Sequence, residues 1–317
     1  MTATSPGEPA ARIPLVIDTD TAADDCFALL VGLIDPRADL RAVTIVAGNV
    51  GFDQQVHNAL LTMQLAGRRS PVFTGARRPL ERDWVDAVDV HGDGVGGLRL
   101  AGPAEPDGDD AVGELIRLSR EHDGELVVVA IGPLTNLALA VRRDPEFAHR
   151  VRRLLVMGGS VNARGNITPA AEYNVYVDPE AADTVVRAGF PDVVIVSWDP
   201  LTLRDAVFDA ARIERIAELD TELARFFVRA NAATFAFDAA AGLGGSTHPD
   251  SLTAALALDP SLALETRRYR LDVETAGELT RGATVFDWRA DDPNVTVVER
   301  ADGERFYAHL RGLLASR

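Results

Sequence analysis

Short runs of continuous apolar, β-branched residues alternate along this chain with stretches whose apolar residues recur at helical spacing, and this alternation constrains the fold more than any other feature. IPLVID (13–18) precedes helix-periodic sequence around FALLVGLI, and AVTIVAG (42–48) precedes QQVHNALLTMQLAG. Further along, ELVVVAIG (125–132) leads into TNLALAVRR, and VRRLLVMGG (151–159) and DVVIVSWD (192–199) follow. A strand that is apolar at nearly every position is buried on both faces, so its sheet is mostly parallel and covered by helices. The predicted fold class is α/β, a Rossmann-like open, mostly parallel sheet with helices on both faces. A helical block over 209–240 and a strand over RGATVFDW (281–288) complete it. No internal repeat or Ser/Gly-rich linker divides the chain, and AGPAEPDGDD (101–110) suits a surface loop. Residues 13–317 are therefore expected to form a single domain behind a flexible tail of residues 1–12.

Composition removes several function classes. The 317 residues, 47% of them hydrophobic, suffice for a large core. Asp and Glu outnumber Lys and Arg 48 to 32, and a net charge of −16 disfavours nucleic acid and anionic membrane as partners. Every basic residue is arginine, so no lysine amine is present to act as a nucleophile or form a Schiff base. Cys26 is the only cysteine, which precludes an internal disulfide and reads as a core residue. The first eleven residues lack a basic n-region and an apolar h-region, and no run approaches the ~20 apolar residues of a membrane span; a cytoplasmic protein is the expectation.

In open α/β sheets ligands bind beyond the carboxyl ends of the strands, so the polar residues where each apolar run stops are the ones that matter. The first run ends in Asp18-Thr19-Asp20-Thr21-Ala22-Ala23-Asp24-Asp25, four carboxylates within eight residues. Like charges this close raise one another's pKa and repel unless a cation neutralises them, and oxygen donors suit a hard cation. The plainer reading makes Asp24 an N-cap and Asp25 a first-turn residue favoured by the helix dipole. Asn49, Ile131 within IGPLTN, and the loop after Gly158-Gly159-Ser160 with Asn166, Glu172 and Asn174 stand at the other strand ends. A carbonyl freed from the ladder at Ile131 suits calcium, and convergent amides and carboxylates suit a polyol; turn chemistry is the alternative for each. His91 lies in the glycine-rich HGDGVGG, which lacks the spacing and lysine of a phosphate loop. Asp250, before a helix, is a cap unless it joins the N-terminal carboxylates.

Taken in order, DTDTAADD, AVTIVAGN, HGDGVGG, AIGPLTNLA, MGGS…GNITPAAEYNVYVDPEAA and PDSLTAALALDP resemble the inosine-uridine-preferring nucleoside hydrolases, over residues 13 to 315. The resemblance implies a nucleoside hydrolase type of sheet with one calcium ion at its carboxyl edge. The ligands would be Asp20, Asp25, Asp250 and the Ile131 carbonyl, and Asp20 would be the base that activates a calcium-bound water. Asp24, Asn49, Asn166, Glu172 and Asn174 would hold the ribose of a ribonucleoside substrate, in a homodimer or homotetramer. The chain departs from the family's pattern at Thr21-Ala22, where Pro-Gly is usual, and at Pro249, where many members carry a histidine. His91, His248, Trp84 and Trp198 are left as candidates to activate or stack on the leaving base.

Two other readings are open on the residues. LVIDTDT also fits the first motif of haloacid-dehalogenase-like phosphatases with Asp18 as nucleophile, although no lysine and no later Gly-Asp-x-x-x-Asp motif accompany it. A calcium-dependent nucleoside- or ribose-binding protein that has lost turnover is compatible with Pro249.

Overall fold

A computed structural model describes residues 11–316; most of the expected tail, residues 1–10, lies outside the described residues. Eleven strands occur in chain order: β1 (Ile13–Thr19), β2 (Ala38–Ile45), β3 (Val72–Thr74), β4 (Val127–Ala130), β5 (Arg153–Met157), β6 (Val193–Val196), β7 (Val207–Phe208), β8 (Ser246–Thr247), β9 (Ala263–Val273), β10 (Thr284–Asp287) and β11 (Val295–Ala301). Nine build one sheet in the order β10-β9-β11-β6-β5-β4-β1-β2-β3, and β7 pairs with β8 separately.

From β3 to β11 all pairings are parallel, because each apolar run returns to the sheet through a helix. Alternate residues face two separate cores: Leu15, Ile17, Val127 and Val129 pack on one side, Val16, Val128 and Ala130 on the other. The α/β architecture read from the sequence is thus observed. β9 and β10 extend the sheet antiparallel at the β11 edge. The sequence reading missed β9 and β11; β9 carries Glu265, Arg267, Arg268 and Arg270 and is exposed over most of its first half, so it has no continuous apolar run. The strand expected over 281–288 is the shorter β10, and the helical block over 209–240 is three helices, Ala210–Ala217, Glu222–Ala230 and Ala232–Ala240.

β1 lies between β4 and β2, and successive strands run outward from it in both directions. Such a reversal of strand order opens a crevice at the carboxyl ends, where Asp18–Asp25 and Ile131 fall. Among the described residues no helix is long and apolar enough to cross a membrane.

Candidate active site

Asp20 follows the last residue of β1 and is wedged between two glycine-bearing strand ends. A Cβ at Gly48 would stand 2.0 Å from Asp20 Oδ2, and one at Gly132 would stand 2.8 Å from Oδ1. Both positions therefore need glycine for the close approach. The Asn49 N–H donates to Asp20 Oδ2 at 2.9 Å, while Oδ1 is buried with no partner. Burial, then the neighbouring Asp25 charge, holds the Asp20 carboxyl well above the usual carboxylate range.

The turn after Asp20 points the next two carboxylates in different directions. Ala23 sits at φ +34°, a conformation that costs an L-residue about 1 kcal/mol or more, and its N–H donates to Gly94 O at 2.8 Å. Gly94, at φ +78°, lies so close to Ala22 that a Cβ would meet its Cα at 2.7 Å. HGDGVGG thus braces the carboxylate turn. Asp25 accepts from Thr19 Oγ1 at 2.6 Å and from the Ala22 N–H and Asn49 Nδ2, both at 3.1 Å; burial pushes its pKa up to about 7.

Asp24 points instead at the helix Pro249–Leu258, which has no cap of its own. Its Oδ2 accepts the Asp250 N–H at 2.7 Å, and its Oδ1 accepts Ser251 Oγ at 2.8 Å. Asp24 is a cap, as the plainer reading allowed, but for a helix far along the chain. That contact carries Asp250 to the N-terminal carboxylates. Asp250 has its pKa raised by burial and by the charges of Asp25, Asp24, Asp20 and Glu172. Asp18 stands apart: its Oδ1 accepts from Thr44 at 2.5 Å and Asn136 at 2.8 Å, and it does not line the cavity above, so it is not placed as a nucleophile.

A cavity of about 470 Å³ opens over this floor, within the range of small-molecule sites. Asp24, Asn49, Ile131, Asn174 and Asp250 line its base, with Asp20 and Asp25 fully buried behind Asn49. Asn174 Nδ2 donates to the Ile131 carbonyl at 3.1 Å, which leaves that oxygen a second lone pair. Glu172 is fixed by the N–H groups of Gly159, Asn174 and Val175, and burial raises it to about 7. Asn166 Oδ1 accepts the Tyr173 N–H at 2.8 Å. Every residue expected to hold ribose lines this one cavity.

The residues expected near the leaving base divide. His91 and Trp198 line the cavity; burial lowers the His91 pKa to about 4, and its Nδ1 lies 3.4 Å from Thr234 Oγ1. Trp84 and His248 do not line it. Trp84 Nε1 donates to Gly48 O at 2.8 Å. His248 is fully buried against Phe208 and Phe227, with both ring nitrogens 3.1 Å from partners, Asp24 and Asn231. These contacts make both residues supports of the floor. Sequence reasoning missed Met157, Tyr173, Thr234, Phe237 and Asp238, all in the lining. Thr234, Phe237 and Asp238 stand on the helix Ala232–Ala240, and Met157 and Tyr173 beside strand ends, where no motif singled the residues out.

The floor fits a hard cation on its donor chemistry. Asp20, Asp25 and Asp250 are buried, mutually repelling and unpaired with arginine among the described residues, and Asp20 Oδ1 lacks any partner. Among the described residues no three such side chains already close on one point, and Asp25 accepts from Thr19, Ala22 and Asn49.

The family model described as "Inosine-uridine preferring nucleoside hydrolase" matches residues 15–308. The pyrimidine-specific ribonucleoside hydrolase RihA of Enterobacter sp. (strain 638) is 36% identical over 316 residues, spanning 96% of this chain and 98% of that one. A plant nucleoside hydrolase structure superposes with a TM-score of 0.86 at 31% identity, covering 96% of this chain and 99% of its own. The purine-preferring ribonucleoside hydrolase from Gardnerella vaginalis gives 0.86 at 28% identity over 96% of this chain and 100% of its own.

Proposed function

We infer that this chain, which belongs to the inosine-uridine preferring nucleoside hydrolase family and is a ribonucleoside hydrolase, cleaves the N-glycosidic bond by direct attack of water with Asp20 as general base. The observation that carries the assignment of the base is the lone buried oxygen, Asp20 Oδ1. A carboxyl whose affinity for protons is raised, and which has an unused acceptor atom, is suited to take one. Asp20, Asp25, Asp250 and the Ile131 carbonyl would hold calcium, the cation an all-oxygen donor set favours. When bound, calcium would offset the carboxylate charges and supply Lewis-acid polarisation for the ribose hydroxyls and the attacking water.

The side chains do the rest. Asn49, Asn166, Glu172, Asn174 and Asp24 would hold the ribose hydroxyls, and their negative and amide oxygens would stabilise the positive charge that develops on the sugar. Glu172 and Asn174 are already fixed by hydrogen bonds to Gly159 N, Ile131 O and Met157 O, so little reorganisation is needed.

The stereochemistry of the product tests the reading. Direct displacement on a β-ribonucleoside releases α-ribofuranose first, which fresh-product NMR detects before mutarotation. Ribose released with retention would overturn it, because retention requires a covalent intermediate.

A further inference from the structure

The helix Ala232–Ala240 is polar inside and apolar outside. Thr234 and Asp238 are its buried positions, whereas Ala232, Ala233 and Ala236 are exposed and Phe237, 42% exposed, lies at the open part of the cavity wall. An inward carboxyl is costly unless it is bonded or serves the space it faces. Asp238 Oδ2 accepts both the N–H and the hydroxyl of Thr247, each at 2.9 Å. Among the described residues its Oδ1 accepts no hydrogen bond and no arginine pairs with it, and the residue lines the cavity.

The reaction needs a proton in that cavity. A departing nucleobase carries negative charge into a space already lined by Asp24, Asp250 and Glu172. His91 is held neutral by burial at any pH well above about 4. His248 is absent from the lining with both nitrogens engaged, Glu172 is committed to backbone N–H groups, and Pro249 has no titratable group. The Tyr173 hydroxyl donates to the Val85 carbonyl at 2.8 Å, which leaves Asp238 as the buried acid.

We propose that Asp238 donates the proton that the leaving nucleobase takes up as its bond to ribose breaks. The electron pair of the C1′–N bond passes to the base, the Asp238 proton neutralises it at a ring nitrogen or carbonyl oxygen, and water closes on C1′ while losing its proton to Asp20. Nucleoside and water become free base and ribose, and the enzyme resets as Asp20 releases its proton to solvent and Asp238 regains one. Burial raises the Asp238 pKa, opposed by the Thr247 bonds and His248 and assisted by Asp24. On the packed helix Val88–His91, the titratable groups are Asp89 and His91. Arg229, on the preceding helix, is engaged by Gly96 O at 2.6 Å.

This proposal rests on the hydrolase reading, and two substrates separate them: a ribonucleoside, and p-nitrophenyl ribofuranoside, whose phenolate leaves without a proton. In the wild type, kcat on the nucleoside should fall as pH rises through an acidic group that must stay protonated, while the aryl riboside profile lacks that limb. In Asp238→Asn, the ratio of nucleoside to aryl riboside kcat should drop at least about 30-fold, out of the 10²–10⁴ typical of acid catalysis, and the limb should vanish. Asp238→Glu should recover part of it. An equal loss on both substrates, or a limb that survives in Asp238→Asn, overturns the proposal while leaving the hydrolase reading intact. If that variant does not fold, a limb shared by both substrates in the wild type overturns it. A wild type that cleaves neither overturns both.

Discussion

On one side of the cavity the functional groups hang from strand ends: Asp20 beyond β1, Asn49 beyond β2, Ile131 beyond β4. On the other they stand on short helices, Val88–His91 and Ala232–Ala240. The first side is fixed by backbone. Glycines at 48 and 132 admit Asp20, and Asp24 is locked to the start of a distant helix. The second side depends on single side-chain contacts such as Thr247 to Asp238 and Thr234 to His91. A sheet edge can hold a fixed chemistry toward the common ribose, while helices added above it can vary toward the base.

The largest expected contrast comes from removing the proposed base on the strand-end side. Asp20→Asn should lower kcat by about 10³-fold or more on every ribonucleoside, whereas Phe237→Ala should change it by less than about 10-fold; initial-rate assays over a nucleoside panel separate the two.

The next concerns charge. Asp25 and Glu172 are raised from 3.8 and 4.5 to about 7, so between those limits the folded, metal-free protein binds more protons than the unfolded chain. Their contribution is present at low pH and is lost as pH rises through 7. His91, lowered from 6.5 to about 4, acts oppositely, its contribution being lost as pH falls through that window. With Asp18, also raised by burial to about 7, three carboxyls against one imidazole should leave the chelated protein less stable at pH 7.5 than at pH 5.5, by on the order of a few kcal/mol. Calcium should reverse this, and thermal melts in buffered chelator and in calcium read both. A chelated protein more stable at pH 7.5 would contradict the carboxylate account.

Smaller effects distinguish the two sides by pattern. Asn174→Ala should reduce kcat/KM on all ribonucleosides by a common factor, on the order of 10-fold, as one buried hydrogen-bonding group is lost. Trp198→Ala should instead change the purine-to-pyrimidine ratio. If Asn174→Ala altered that ratio and Trp198→Ala did not, the division of the cavity would be wrong. Smallest of all, Ala23→Gly should raise stability by about 0.5–1 kcal/mol by relieving the positive φ, measured by denaturant titration.

The same division explains what the sequence made legible. Continuous apolar runs specified the parallel strands, and the polar residue types at their ends followed directly, so Asp20, Asn49, Ile131 and Glu172 could be named from pattern. AATFAFDAA shows no such pattern. By ordinary amphipathic logic its phenylalanines belong inside and Asp238 outside, but the structure buries Asp238 and leaves Phe237 exposed because the helix faces a cavity rather than a core. Asp24 was legible as a cap or a ribose ligand, but its partner lies 226 residues away, which no local spacing can show. His248 and Trp84 carried the right chemistry for the leaving base, yet packing turned both toward the supporting shell.

The central claim, a carboxylate floor that hydrolyses ribonucleosides with calcium, is tested most directly by measuring ribose and free base together before chelation, after it and after calcium is restored. The account predicts equal amounts of both products from at least one ribonucleoside, loss of both on chelation, and recovery with calcium. Hydrolysis that continues undiminished in chelator would contradict it.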